Sequence, residues 1–130
     1  IASSGAADIY GLEILAGGIE TYKKNYTKFH IIGNASLMPA MGDKASVCFA
    51  TGHKPGSLAR VLQTLAGMDI NLSKIQSVPR LNGNWEYMFY VDLELNTASK
   101  MDHIVRALEE HTMNLEILGI YNKDNSLYES

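Results

Sequence analysis

The sequence predicts an α+β fold, and three observations carry the prediction. A short β-prone run at 44–51 gives way to helical spacing of apolar residues from Gly56. Strict two-residue alternation of apolar and polar side chains runs from Trp85 to Leu95. A second helical stripe from Met101 to Leu108 leads into a last extended run at 115–121. From Lys44 onward the order is strand, helix, strand, strand, helix, strand. Two interleaved halves of that kind make the ferredoxin-like βαββαβ arrangement, an antiparallel sheet with both helices on one face.

Each element has its own reason. Residues 44–51 (KASVCFAT) are rich in β-formers and end at the punctuating Gly52. From Gly56, Leu58, Val61, Leu62, Leu65 and Met68 fall on one helical face. Residues 70–79 return to an extended pattern. Asn82-Gly83-Asn84 supplies hairpin turn chemistry. In the next strand Trp85, Tyr87, Phe89, Val91, Leu93 and Leu95 define a buried face, and Glu86, Met88, Tyr90, Asp92, Glu94 and Asn96 a wet one. Thr97 or Ser99 is the expected cap of the second helix, whose inner side carries Met101, Ile104, Val105 and Leu108. Residues 122–130 (NKDNSLYES) read as a polar tail with no reason to order. Upstream, Pro39, Gly42 and small residues mark 34–43 as a linker.

Composition narrows the function classes. The chain has 130 residues, 46% of them hydrophobic and 19% charged, enough for one complete core. A net charge of −3 offers no field for a phosphate backbone, so nucleic acid is not an expected partner. An RNA-binding reading of the fold is disfavoured further by Glu86, Asp92 and Glu94 on the strand face such a module uses. The single cysteine, Cys48, excludes an internal disulfide and fits a reducing, cytoplasmic setting. No apolar run approaches the roughly 20 residues of a membrane helix, so no membrane partner is expected. His30, His53, His103 and His111 are too scattered for a metal set, and neither a metal nor a cofactor is expected. The opening at Ile1, without an initiator methionine, is read as that of a fragment.

The segment that points to a ligand is His53-Lys54-Pro55-Gly56-Ser57-Leu58 with Asp69-Ile70-Asn71-Leu72 beyond its helix. A glycine-opened helix N-terminus presents main-chain N–H groups to a small anion. A free amino acid offers a carboxylate, an ammonium and a side chain, so its receptor needs donors, acceptors and a fitted slot. The amides of Gly56, Ser57 and Leu58 are candidate donors. Asn71 is a candidate bridge to the ligand amine, and Leu58, Leu72 and Ile75 are candidate walls. A turn with an ordinary helix start is the plainer use of Pro55-Gly56, and a turn role the plainer one for Asn71.

Residues 54–79, KPGSLARVLQTLAGMDINLSKIQSVP, resemble the ACT regulatory domain of prephenate dehydratases. There a Gly-Ala-Leu motif opens the first helix and a Glu-Ser-Arg-Pro motif ends the second strand. Here they stand as Gly56-Ser57-Leu58 and Gln76-Ser77-Val78-Pro79, without the acidic residue and the arginine. Trp85-Glu86-Tyr87 is similar to the family as well. Upstream, residues 1–12 resemble a late helix of the catalytic domain, and Asn25-Tyr26-Thr27-Lys28-Phe29 resembles its Thr-Arg-Phe signature, with Lys28 in place of the arginine.

The resemblance implies a catalytic-domain remnant over 1–33, a linker over 34–43, an ACT domain over 44–121 and a tail over 122–130. It implies that the parent enzyme converts prephenate to phenylpyruvate, water and CO2 in phenylalanine biosynthesis, with Thr27 and Phe29 in its catalytic signature. A threonine hydroxyl can polarise the departing ring hydroxyl by donating a hydrogen bond. The implied effector is L-phenylalanine, held by Gly56, Ser57, Leu58, Asn71, Leu72, Gln76 and Ser77 where two ACT domains meet in a homodimer or larger homo-oligomer. The front of the catalytic lobe is absent, so the isolated chain is expected to be inactive. Whether the parent carries a fused chorismate mutase stays open, as does the alternative of an ACT module from another enzyme or regulator that senses a different amino acid.

Overall fold

The computed structural model describes residues 1–24, 27–39, 41–80, 87–97 and 99–123. These divide into two units, Ile1–Ile32 and Gly33–Ser130. The first contains one short helix, α1 (Ser4–Tyr10), which buries none of its side chains. Gly11, in the left-handed conformation with φ 61°, ends it and donates its N–H to the Ala7 carbonyl. The helix thus covers a little over half of the 1–12 segment singled out by sequence. Around it Ile9, Tyr10, Leu12 and Leu15 are all exposed.

The second unit carries β1 (Lys44–Thr51), α2 (Ser57–Gly67), β2 (Asn71–Pro79), β3 (Tyr87–Glu94), α3 (Met101–Glu109) and β4 (Met113–Tyr121). The strands form one sheet in the order β2-β3-β1-β4, and every neighbouring pair is antiparallel. That is the ferredoxin-like α+β arrangement. The core lies between the sheet and both helices. Val47 and Phe49 of β1 and Phe89, Val91 and Leu93 of β3 meet Val61 and Leu65 of α2 and Ile104 and Leu108 of α3. The two helical stripes and the odd-numbered face of β3 therefore pack as their periodicities require.

The exit from α2 is set locally. Asp69 adopts φ 56°, its N–H reaches the Ala66 carbonyl, and the Ile70 N–H reaches that of Leu65 at 3.0 Å. This is a Schellman ending, and Leu65 and Ile70, both buried, supply its apolar contact. It aims the chain into β2, an edge strand.

Four details differ from the sequence reading. No side chain caps α3, whose N-cap position is Lys100. Ser99 instead closes a turn on Asn96, accepting from its N–H and donating to its Oδ1, both at 2.9 Å. Asp92 was expected on the wet face of β3 but is 4% exposed, because Ser46 Oγ donates to its carboxylate at 2.6 Å and itself shares a hydrogen bond with Tyr121 Oη. Tyr87, expected inside, is 37% exposed at the end of its strand. The tail does not begin loose: Asn122 Oδ1 accepts from the Asp43 N–H, and the Lys123 N–H donates to Asp43 Oδ1. The 82–84 turn, Trp85, Glu86, Asn25, Tyr26 and residues 124–130 lie outside the described residues.

Candidate functional site

Gly56 stands at the N-cap of α2 with φ 84° and no side-chain cap. A left-handed residue at that point turns the chain sharply out of β1, and glycine adopts it without a Cβ penalty. The first turn of the helix has three N–H groups without intrahelical partners. Ser57 donates its own to the Lys54 carbonyl at 3.2 Å, while the first helical bond runs from Arg60 to Gly56. The N–H groups of Leu58 and Ala59 donate to no acceptor among the described residues.

Beside these two amides lies an open cleft of about 420 Å³, bounded by Pro55, Gly56, Leu58, Ala59, Tyr87 and Phe89, with His53 at its lip. The volume suits a small-molecule ligand. The β1–β3 register explains why β3 supplies one wall: Phe49 pairs with Phe89 and Thr51 with Tyr87, so the start of β3 stands next to the end of β1 where the turn begins. Phe49 and Phe89 stack at 5.7 Å, Phe89 and Tyr87 lie 6.3 Å apart, and Tyr87 stacks on His53 at 6.2 Å with an interplanar angle of 29°.

The predicted binding residues do not all meet here. Gly56, Ser57 and Leu58 do. Ser77 pairs with Phe89 and so shares the helix-covered face of the sheet. Gln76 pairs with Tyr90 and belongs to the opposite face. Asn71 pairs with Glu94, and Leu72 with Leu93, at the far end of β2. Nine strand residues at about 3.3 Å each put the two ends of β2 roughly 25 Å apart. Asn71 spends a donor there on Glu94 Oε2 at 3.2 Å, and Leu72 packs against the core. Within one protomer, then, Asn71 and Leu72 stand apart from the Gly56 turn. His53, which opens the segment singled out by sequence, lines the cleft as well, and so do Ala59, Tyr87 and Phe89, which the sequence did not mark as binding residues. Alternation marked Tyr87 and Phe89 only as interior positions of a strand, and no local pattern relates them to the turn.

In the first unit Thr27 is exposed and Phe29 is 84% exposed. No enclosed site forms around them among the described residues. A second hollow of about 510 Å³ lies on the uncovered sheet face between Cys48, Tyr90 and Glu116, and none of the predicted residues lines it. Burial first, and then the Glu116 carboxylate, push the Cys48 thiol above its ordinary value, against a smaller downward pull from a backbone hydrogen bond at Glu116. Among the described residues no three His, Cys, Asp or Glu side chains are grouped to hold a metal ion, and no helix is long and apolar enough to cross a membrane.

A family model described as prephenate dehydratase matches residues 1–37. Over 124 residues the chain is 37% identical to a bifunctional chorismate mutase/prephenate dehydratase of Aquifex aeolicus, an alignment covering 95% of this chain and 34% of that protein. It is also 37% identical over 124 residues to a prephenate dehydratase of Methanocaldococcus jannaschii, covering 93% of this chain and 45% of that one. The chain is a relative of the prephenate dehydratases. It spans less than half the length of either of these proteins. The crystal structure of the prephenate dehydratase of Arthrobacter aurescens in complex with L-Phe is similar at a TM-score of 0.54 and 26% identity, over 62% of this chain and 27% of that one.

Proposed function

We propose that residues 44–121 are the ACT regulatory domain of a prephenate dehydratase and bind L-phenylalanine as its feedback effector. The observation that carries this reading is the pair of undonated amides, Leu58 and Ala59, at the Gly56 turn beside an aromatic-walled cleft. An amino-acid carboxylate suits two free N–H donors at a helix N-terminus, and an aromatic side chain suits the cleft. The solved relative bound to L-Phe supports the choice of ligand.

The site is completed by a second copy of the chain. Asn71 lies at the wrong end of its own β2 to reach the turn, but β2 is an edge strand with unpaired main-chain groups. Antiparallel pairing of β2 with β2 of a second copy brings the start of one strand beside the end of the other. Asn71 of the second copy then stands near the Gly56 turn of the first. Ligand binding at such a boundary favours one arrangement of the subunits, and couplings of this kind amount to about 1–3 kcal/mol.

In the parent enzyme Thr27 donates a hydrogen bond to the ring hydroxyl of prephenate as CO2 and water depart, and Phe29 belongs to the same catalytic segment. The exposure of both residues supports the view that this chain alone does not turn prephenate over: preorganised electrostatics, usually the largest catalytic contribution, requires an enclosed site.

Calorimetry of the 130-residue chain with L-phenylalanine, combined with a thermal-shift panel of amino acids, tests the regulatory reading. At a hundredfold excess over Kd, binding stabilises by about 2.7 kcal/mol. No heat and no shift at millimolar L-phenylalanine sinks it. A stronger response to another amino acid reassigns the effector, and turnover of prephenate near that of an intact enzyme overturns the inactivity.

A further inference from the structure

We propose that the stacked pair His53 and Tyr87 is the surface on which the ring of the effector lies, and that Tyr87 sets the preference of the cleft for aromatic over aliphatic amino acids. The inference rests on the regulatory reading above and adds the specificity-determining residue to it. Of the apolar walls expected from sequence, Leu58 bounds the cleft but Leu72 and Ile75 do not, whereas Tyr87 does.

The aromatic side chains form a graded row. Phe49 is fully buried, Phe89 is 8% exposed and Tyr87 is 37% exposed, and successive rings lie 5.7 and 6.3 Å apart. His53 continues the row at 6.2 Å. All these separations fall in the range of favourable ring contacts. A row anchored in the core holds Tyr87 in a fixed orientation without relying on the loop. A ring held by its neighbours and still 37% exposed is a preorganised platform, because ordering it costs a ligand little. Leu58 and Ala59, whose amides donate to no acceptor among the described residues, line the same cleft, so one small molecule can meet them and the ring platform together.

The test is calorimetry of the full chain and its Tyr87→Leu and Tyr87→Phe variants with L-phenylalanine and L-leucine. Tyr87→Leu is expected to weaken L-phenylalanine binding about tenfold, equivalent to about 1.4 kcal/mol, and to leave L-leucine binding nearly unchanged. Tyr87→Phe is expected to restore the wild-type preference. If wild type binds L-phenylalanine and Tyr87→Leu keeps both its affinity and its preference, the assignment of Tyr87 is wrong and the effector site stands. If wild type gives no L-phenylalanine heat at all, both readings fall. Should Tyr87→Leu not fold, NMR of the wild-type complex decides. Cross-relaxation from the ligand ring protons to Tyr87 and His53 supports the proposal, and cross-relaxation confined to Leu72 and Ile75 overturns it.

Discussion

Replacing Gly42 with alanine strikes where the start of β1 crosses the end of β4. A Cβ built on Gly42 falls 2.5 Å from the Tyr121 carbonyl oxygen, 2.8 Å from its carbon and 2.9 Å from its nitrogen. All three are main-chain atoms of a paired strand, so no side chain can swing aside to relieve the clash. The crossing is also where Asp43 binds Asn122 and Lys123, and where the Leu95 N–H donates to the Asp43 carbonyl at 2.7 Å. Overpacking costs about 1–3 kcal/mol, and separating the two segments loses hydrogen bonds worth about 1 kcal/mol each. We expect Gly42→Ala to destabilise the domain by about 2–4 kcal/mol, a large share of a typical total stability of about 5–15 kcal/mol. For a domain of this size that lowers Tm by roughly 10–25 °C. Circular-dichroism melts and urea titrations measure it directly. Gly52→Ala and Gly67→Ala are matched controls, since a Cβ at either meets nothing within 4 Å; both should be neutral or stabilising by up to about 1 kcal/mol. A Gly42→Ala chain that melts with its controls refutes the close approach.

Three further outcomes follow from particular side chains. Asp92→Ala removes a buried carboxylate that accepts from Ser46 at 2.6 Å and should cost about 1.5–3 kcal/mol in urea titrations; a neutral result means the carboxylate is not held as described. Gly56→Ala forces a Cβ onto φ 84° in open space, so its cost of about 1–2 kcal/mol is conformational alone, and Gly56→Asn should cost less because asparagine tolerates that region; equal losses for the two argue against a left-handed turn. Cys48 should react slowly with a thiol reagent at neutral pH while native and rapidly in urea, since burial keeps it protonated. Its folded pKa stands above its unfolded one, so the neutral thiol favours the native state. That contribution is full below the unfolded thiol value and is lost as pH rises through the folded one; a Cys48→Ala variant with the same alkaline decline in stability as wild type counts against this.

Much of the architecture was legible because it is written in short-range periodicity. The 3.6-residue stripe of Val61 and Leu65, its counterpart in Ile104 and Leu108, and the alternation of Phe89, Val91 and Leu93 each name a buried face from neighbours in the chain. Their order then admits few arrangements. The turn at Pro55-Gly56 was likewise visible as a helix entrance able to receive an anion. Asp92 was misplaced because alternation names which sheet face a side chain takes and not whether Ser46 and Tyr121, distant in sequence, enclose it there. Asn122 and Lys123 looked like tail because their partner, Asp43, is some eighty positions away.

By itself, then, the chain's residue order determined which segments are helix and strand, which sides of them are apolar, and which family they resemble. Only the tertiary structure decided that Tyr87 and Phe89 join the Gly56 turn while Asn71 and Leu72 stand at the other end of the sheet. The physical reason is strand register: periodicity repeats every two residues and is blind to which residue of one strand lies opposite which of the next, yet that pairing sets what a ligand can touch.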